Sequence, residues 1–303
     1  MSFSNDDLSP DELALFAADK PILGANTIPD IAYIGTYKWT IAGGGGTDKT
    51  DTSYPAYRAF DGLCNLDTRA DSAQTSWYYE ITFNVGIEID FCAINGHNFG
   101  SIGSLTACQV QIANDAAFSA NLTTIADFGT PTTNGRLVDW SLSAGTAQRY
   151  SNVQCVRLKL TKGSSFTPQL RELILGRRRQ LKTNPLVPYD PTSLHSNAPL
   201  IETAGGILYR TTFRKGRYHL NATLGTHETA YQDDLANFFE ETQWGTCPFV
   251  WCPQPTSYPN NWYWMMLEEP DFDFPIEDYT ERKWAFSAFE QGPQSYYLNV
   301  ENV

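Results

Sequence analysis

A chain of 303 residues, 42% of them hydrophobic, is long enough for two domains that each bury a core. Its 34 acidic against 21 basic residues leave a net charge of −13, a field that repels phosphate backbones and argues against a nucleic-acid partner. No run approaches the roughly 18 apolar residues of a membrane span. Residues 1–8 lack the basic start and apolar stretch of a secretory leader, so synthesis in a cytoplasm is expected.

Aromatic residues make up 14% of the chain and charged residues only 18%. Aromatics concentrate at subunit interfaces, where Lys and Glu are thinned out. Burial between copies of the chain is therefore one expectation, and two aromatic-rich β cores are the other. Four of the six cysteines stand singly in or near apolar runs, and only Cys247 and Cys252 lie close together. A zinc site normally needs four ligands, so all six are expected to be free thiols with no metal.

Residues 1–30 read as an arm with one short helix. Ser9-Pro10-Asp11-Glu12 has the form of a capping box, with Pro10 at the first helical position. The helix, 10 to about 19, presents Leu13, Leu15 and Phe16. So short a helix is marginal alone, and its apolar face must dock on its own domain or a neighbouring subunit. Leu13 and Phe16 are the candidate contacts. The run Gly43–Gly46 is a loop: a phosphate loop needs Gly directly before Lys, and here Asp48 precedes Lys49.

From 31 to 180 the pattern is β throughout. Residues 31–41 place Tyr33, Tyr37, Trp39 and Ile41 on one parity. Residues 54–60 form an aromatic-rich strand that ends at an Asp61-Gly62 turn. Over 76–85, Trp77, Tyr79, Ile81, Phe83 and Val85 share a face. Further strands are expected at 87–94, 107–112, 122–128, 137–142, 153–160 and 170–175. Short strands with no intervening helices fit an antiparallel sandwich of the jelly-roll type.

Arg177, Arg178 and Arg179, with Lys182 and the prolines of 185–191, mark a boundary. They are expected either as a solvated linker or as contacts to an acidic surface of a neighbouring subunit or of the second domain. The second domain, 181–303, adds strands at 206–213, 216–224, 249–252, 262–267 and 282–290. Its one helix, 229–242, carries Tyr231, Leu235, Phe238 and Phe239 on a single stripe.

Catalytic motifs are absent from the sequence. His97, His195, His219 and His227 show no zinc-helix spacing, and no Gly-x-Ser-x-Gly elbow occurs. The acidic stretch 268–281 includes Asp271 and Asp273. It reads as solvated or intersubunit surface that could face Arg177–Arg179 of a neighbouring copy. Calcium ligation and a glycosidase carboxylate pair are the other readings of it.

Two regions resemble known families. Ala59-Phe-Asp-Gly62, the Trp77 strand, Ala93-Ile-Asn-Gly-His-Asn98, Val110-Gln-Ile-Ala-Asn-Asp115 and 156–173 resemble the galactose-binding-like, discoidin-type jelly roll. Residues 200–291 are similar to the β-barrel-with-helix domains of tailed-phage distal-tail and minor tail proteins. Tyr218-His-Leu-Asn-Ala222, Gly245–Pro253 and Arg282–Glu290 carry that likeness. The order of the two domains departs from a standard distal-tail protein.

The resemblances imply a mainly β chain: an N-terminal jelly-roll sandwich, then a smaller β-barrel-like domain with one α-helix. They imply a non-catalytic structural component of a virion tail or baseplate, made in the host cytoplasm. Its partners would be copies of itself in a ring, other tail proteins and a host-surface glycan. An adhesion protein that binds host carbohydrate, or a glycoside hydrolase with an appended binding domain, are the alternatives. A saccharide would sit on loops at one end of the sandwich, contacted by Arg69, Asp71, Trp77, His97, Asn98 and Phe99, with an aromatic face under the ring and polar groups on its hydroxyls. No cofactor is expected.

Overall fold

The computed structural model describes residues 2–27, 34–43, 46–61, 66–142, 148–182, 193–195, 200–202, 208–210, 217–226, 229–242, 247–267, 276–278 and 281–290. Asp271 and Asp273 lie outside the described residues, as does Cys64. In chain order the first elements are β1 (Ser4–Asp7), α1 (Pro10–Ala17), β2 (Ile22–Ala25), β3 (Ile34–Ile41), β4 (Thr68–Arg69), β5 (Gln74–Ile89), β6 (Phe91–His97) and α2 (Phe99–Ile102). Then come β7 (Leu105–Ala113), β8 (Thr123–Asp127), β9 (Gly135–Asp139), β10 (Gln148–Phe166), β11 (Gln169–Leu170), β12 (Glu172–Gly176) and β13 (Arg178–Gln180). The rest are β14 (Ser193–His195), β15 (Leu200–Glu202), β16 (Leu208–Arg210), β17 (Arg217–Thr226), α3 (Thr229–Glu241), β18 (Phe249–Cys252), β19 (Tyr263–Leu267), β20 (Ile276–Asp278) and β21 (Glu281–Glu290).

These elements stack in four layers. The first is the sheet β3-β5-β10-β7-β8, with β1 paired to the start of β10. The second is the three-stranded sheet β12-β6-β9. All pairings within these two sheets are antiparallel, and together they form the expected jelly-roll sandwich. The third layer is an eight-stranded sheet, β13-β2-β18-β19-β21-β17-β14 with β20 on β21. Among the described residues its path does not close on itself. Helix α3 is the fourth layer, packing Leu235, Phe238 and Phe239 onto Phe249, Trp251 and Phe286.

Side-chain alternation explains the stack. A strand sends successive residues to opposite faces. In β6, Cys92 and Ile94 enter the sandwich core, while Phe91 and Ala93 point the other way. In β18, Phe249 and Trp251 face α3, and Val250 and Cys252 face the sandwich. The back of β6 thus meets the front of β18 across a shared cluster with Trp140, Ile174, Trp262 and Trp264. Gly24 of β2 lies at the closest approach: a Cβ there would sit 2.6 Å from the Phe91 ring. Strands with both faces covered read as unbroken apolar runs such as Phe-Val-Trp-Cys.

Among the described residues many large aromatics pack inside the chain. Trp39, Trp77, Trp251, Trp262, Trp264, Tyr79, Phe91 and Phe99 are fully buried within it.

Several local expectations are corrected. The strand expected over 87–94 is broken at Asp90, where the chain passes from the first sheet to the second. Asp90 is fully buried; it accepts the Arg178 N–H at 2.6 Å and the Arg149 guanidinium at 3.1 Å. Burial raises its carboxyl above the usual range, against the pull of Arg149 and Arg178. Val85 is 51% exposed because the β5–β10 register shifts beside it, at Val153. Residues 54–60 are a loop with a 3₁₀ turn at Ala56–Ala59, entered through Pro55, which has no N–H for a ladder.

The N-terminal segment is held within the chain. The capping box of α1 is present, with Glu12 N–H donating to Ser9 Oγ and Ser9 N–H to Glu12 Oε2. Glu12 also pairs with Arg149 at 2.7 Å. Phe16 packs against the shared cluster under the Arg178 guanidinium, 4.9 Å from its ring centre, whereas Leu13 is 37% exposed. The arginine run is not a solvated linker. Arg178 and Arg179 are buried, Arg179 meets Glu241 of α3 at 2.7 Å, and Arg177 meets Glu88 at 3.2 Å. Their acidic partners belong to this chain.

Candidate functional site

One end of the sandwich gathers the connection between β3 and β5 with the loops that follow β6 and β10. A short ladder orders it: Asp51 N–H donates to the Arg69 carbonyl at 3.0 Å, and Asp71 N–H to the Lys49 carbonyl at 2.7 Å. β4 then pairs with β11, setting Arg69 opposite Gln169. The Arg69 guanidinium donates to Gln169 Oε1 at 3.2 Å and lies 4.2 Å from the centre of the Tyr54 ring. Arg58 approaches the same ring at 5.9 Å and donates to the Ser53 carbonyl at 2.9 Å. Lys49 and Asp71 form a half-exposed pair at 4.0 Å. Tyr57, 38% exposed, stands on the same turn with its ring edge-on to Tyr37.

This end offers guanidinium, ammonium, carboxylate, amide and phenol groups at partial exposure, with the Tyr54 ring between Arg58 and Arg69. Such a set can donate to and accept from vicinal hydroxyls while a ring face covers an apolar patch.

Of the six saccharide candidates, Arg69 and Asp71 belong to this group. Trp77 does not: its indole is fully buried, edge-on to Trp39, with Nε1–H donating to the Phe166 carbonyl at 2.9 Å. Its strand parity points it inward, so its face is not open to a ligand. Phe99 is likewise fully buried, stacked on His97 at 4.5 Å. Asn98 is committed to the fold, donating to the Thr167 carbonyl at 3.2 Å and accepting the Gln169 N–H at 3.1 Å. It fixes β11, and through β11 the position of Arg69.

His97 is a structural histidine. Its Nδ1 accepts the Phe99 N–H at 3.2 Å, which leaves the imidazole proton on Nε2. Burial pushes its pKa down from 6.5 to about 4, only partly opposed by the Arg136 backbone. A histidine kept neutral in the fold but protonated when unfolded gives stability that is present above pH 6.5 and lost as pH falls toward 4. The loss should total about 3 kcal/mol across that window. Urea unfolding at a series of pH values should show it in the native chain and not in His97→Asn, which keeps an acceptor near Nδ1. Equal pH slopes in the two proteins would remove this role.

Tyr54, Tyr57, Arg58 and Gln169 complete the group and were not candidates from sequence. The available signal was Pro55 between two tyrosines with an arginine following, a turn composition rather than a strand. Gln169 carries no local signal; only its pairing with Arg69 brings it in. Among the described residues no group of three or more His, Cys, Asp or Glu is placed to hold a metal ion, and no helix is long and apolar enough to cross a membrane.

No protein-family model matches the chain, and no curated protein matches it. Solved structures that match include the family 32 carbohydrate-binding module of Clostridium perfringens NanJ in complex with galactose, at 13% identity over 52% of this chain and 99% of that one, with a TM-score of 0.35. Chitosan-binding module 1 from a Paenibacillus sp. IK-5 chitosanase/glucanase matches at 18% identity over 47% of this chain and 94% of the module, TM-score 0.34. A Ruminococcus gnavus GH29 fucosidase in complex with fucose matches at 11% identity and TM-score 0.36; the 51% of this chain that aligns covers 27% of that enzyme.

Proposed function

We propose that this chain is a non-catalytic component of a tailed-phage virion, at the distal tail or baseplate. In this reading the end of its jelly roll recognises a glycan, and its eight-stranded layer mounts it on copies of itself and on other tail proteins. The observation that supports glycan recognition is the partly exposed group Arg69, Gln169, Asp71 and Lys49, with the Tyr54 ring against the Arg69 guanidinium, held by backbone pairing rather than by side-chain chance. The likeness of 200–291 to phage tail domains supports the virion setting.

Calorimetric titration with galactose, fucose and chitotriose tests the first part. Arg69→Ala should weaken the ligand that binds by about tenfold or more, the effect of losing a charged hydrogen bond, with little change in the urea midpoint. Unchanged affinity in that variant would move the site elsewhere, and a glycan array with no hit would end the glycan reading. Negative-stain images and sedimentation of the purified chain test the second part: rings support it, and a monomer at all concentrations counts against it.

A further inference from the structure

The loop between β18 and β19 is the most exposed aromatic position among the described residues. Tyr258 is 60% exposed, and with Ser257, Pro259, Asn260 and Asn261 it lines an open depression of about 410 Å3. Gln254 through Asn261 contain no charged residue. The loop lies outside the group around Arg69 and belongs to the third layer, not to the sandwich end.

An exposed loop would ordinarily be held loosely, but this one is tied at each step. Asp19, at the end of α1, accepts the N–H groups of Thr256 at 2.8 Å and Ser257 at 3.2 Å. Thr256 Oγ1 donates to the Phe16 carbonyl at 2.7 Å. Trp140 Nε1–H donates to the Pro259 carbonyl at 3.1 Å. Tyr258 N–H reaches the Gln254 carbonyl at 2.9 Å, and Asn261 N–H the Tyr258 carbonyl at 2.9 Å. The Tyr263 hydroxyl donates to Asn261 Oδ1 at 3.2 Å, which directs the amide nitrogen of Asn261 away from that contact. Tyr258 is thus offered to solvent on a backbone with little freedom left to lose on binding.

We infer that this depression is a second saccharide-contacting site, in which exposed Tyr258 covers one face of a neutral hexopyranose while the Asn260 and Asn261 amides hold its hydroxyls. Uncharged amides and a hydroxyl suit a neutral ring better than a charged peptide, and one large aromatic suits a sugar face better than a broad protein interface.

The Trp140 indole N–H reports on the loop because it is bonded to Pro259. In 15N-labelled protein, its signal, assigned with Trp140→Phe, should move saturably on addition of millimolar galactose or cellotriose. Tyr258→Ala should abolish that movement, and Arg69→Ala should leave it intact, so failure at either end of the molecule is read separately. The substitution lies on an exposed side chain and should leave the fold unchanged. Three results would overturn the inference: no saturable movement with either sugar, movement that survives Tyr258→Ala, or a signal that follows protein concentration without sugar and is lost in Tyr258→Ala, which would make the loop a contact between copies.

Discussion

Replacing Arg136 with alanine should lower the unfolding free energy by about 3–5 kcal/mol, the range for breaking a buried ion pair from one side. Arg136 leaves β9, crosses the junction between the second and third layers, and meets Glu290 of β21 at 2.6 Å. Its guanidinium also donates to the Trp262 carbonyl and lies 4.9 Å from the centre of that indole. Glu290 is only 2% exposed, so removing the arginine strands a carboxylate away from water. Urea unfolding of Arg136→Ala, Glu290→Gln and the double variant would give the coupling. The double variant should be less damaged than the sum of the singles, because most of the cost is the orphaned charge. A single-variant loss below about 1 kcal/mol would mean that the junction is held by its apolar cluster alone.

Trp77→Ala should cost a comparable amount, about 3–5 kcal/mol, through the cavity left by a fully buried indole. The Phe166 carbonyl loses its donor and Trp39 loses its edge contact as well. The expected readout is a lower urea midpoint, with any loss of glycan binding tracking the unfolded fraction. Arg69→Ala should do the reverse, keeping the midpoint and losing affinity. Normal stability in Trp77→Ala would contradict its place in the core.

Period-2 alternation made the Trp77 face legible, and 3.6-residue spacing made α3 legible, since both follow from local geometry. The capping box gave α1 its start. That the Trp77 indole is core and not a binding face was not legible, because a core and a binding cleft both attract aromatics. The strand break at Asp90 was hidden for a related reason. An acid in an apolar run, here two residues after Glu88, reads as a solvent-facing position, and only the pairing of Asp90 with Arg149 and the Arg178 backbone makes it an internal corner. For the arginine run, charge density left a solvated linker and an acidic contact both open, and only the partners Glu88 and Glu241 decide between them. Gln169 depends on a pairing 100 residues away in the chain and has no local trace.

The place of β2 has a consequence for how the chain is made. Ile22 pairs with Cys252, and Ala25 with Phe249. At cellular translation rates the ribosome needs roughly 10–50 s to travel between those partners. During that interval a nascent apolar strand has no neighbour on its β18 side. A holding chaperone, or temporary shelter against the finished sandwich, is the natural way to keep it from pairing with another growing chain.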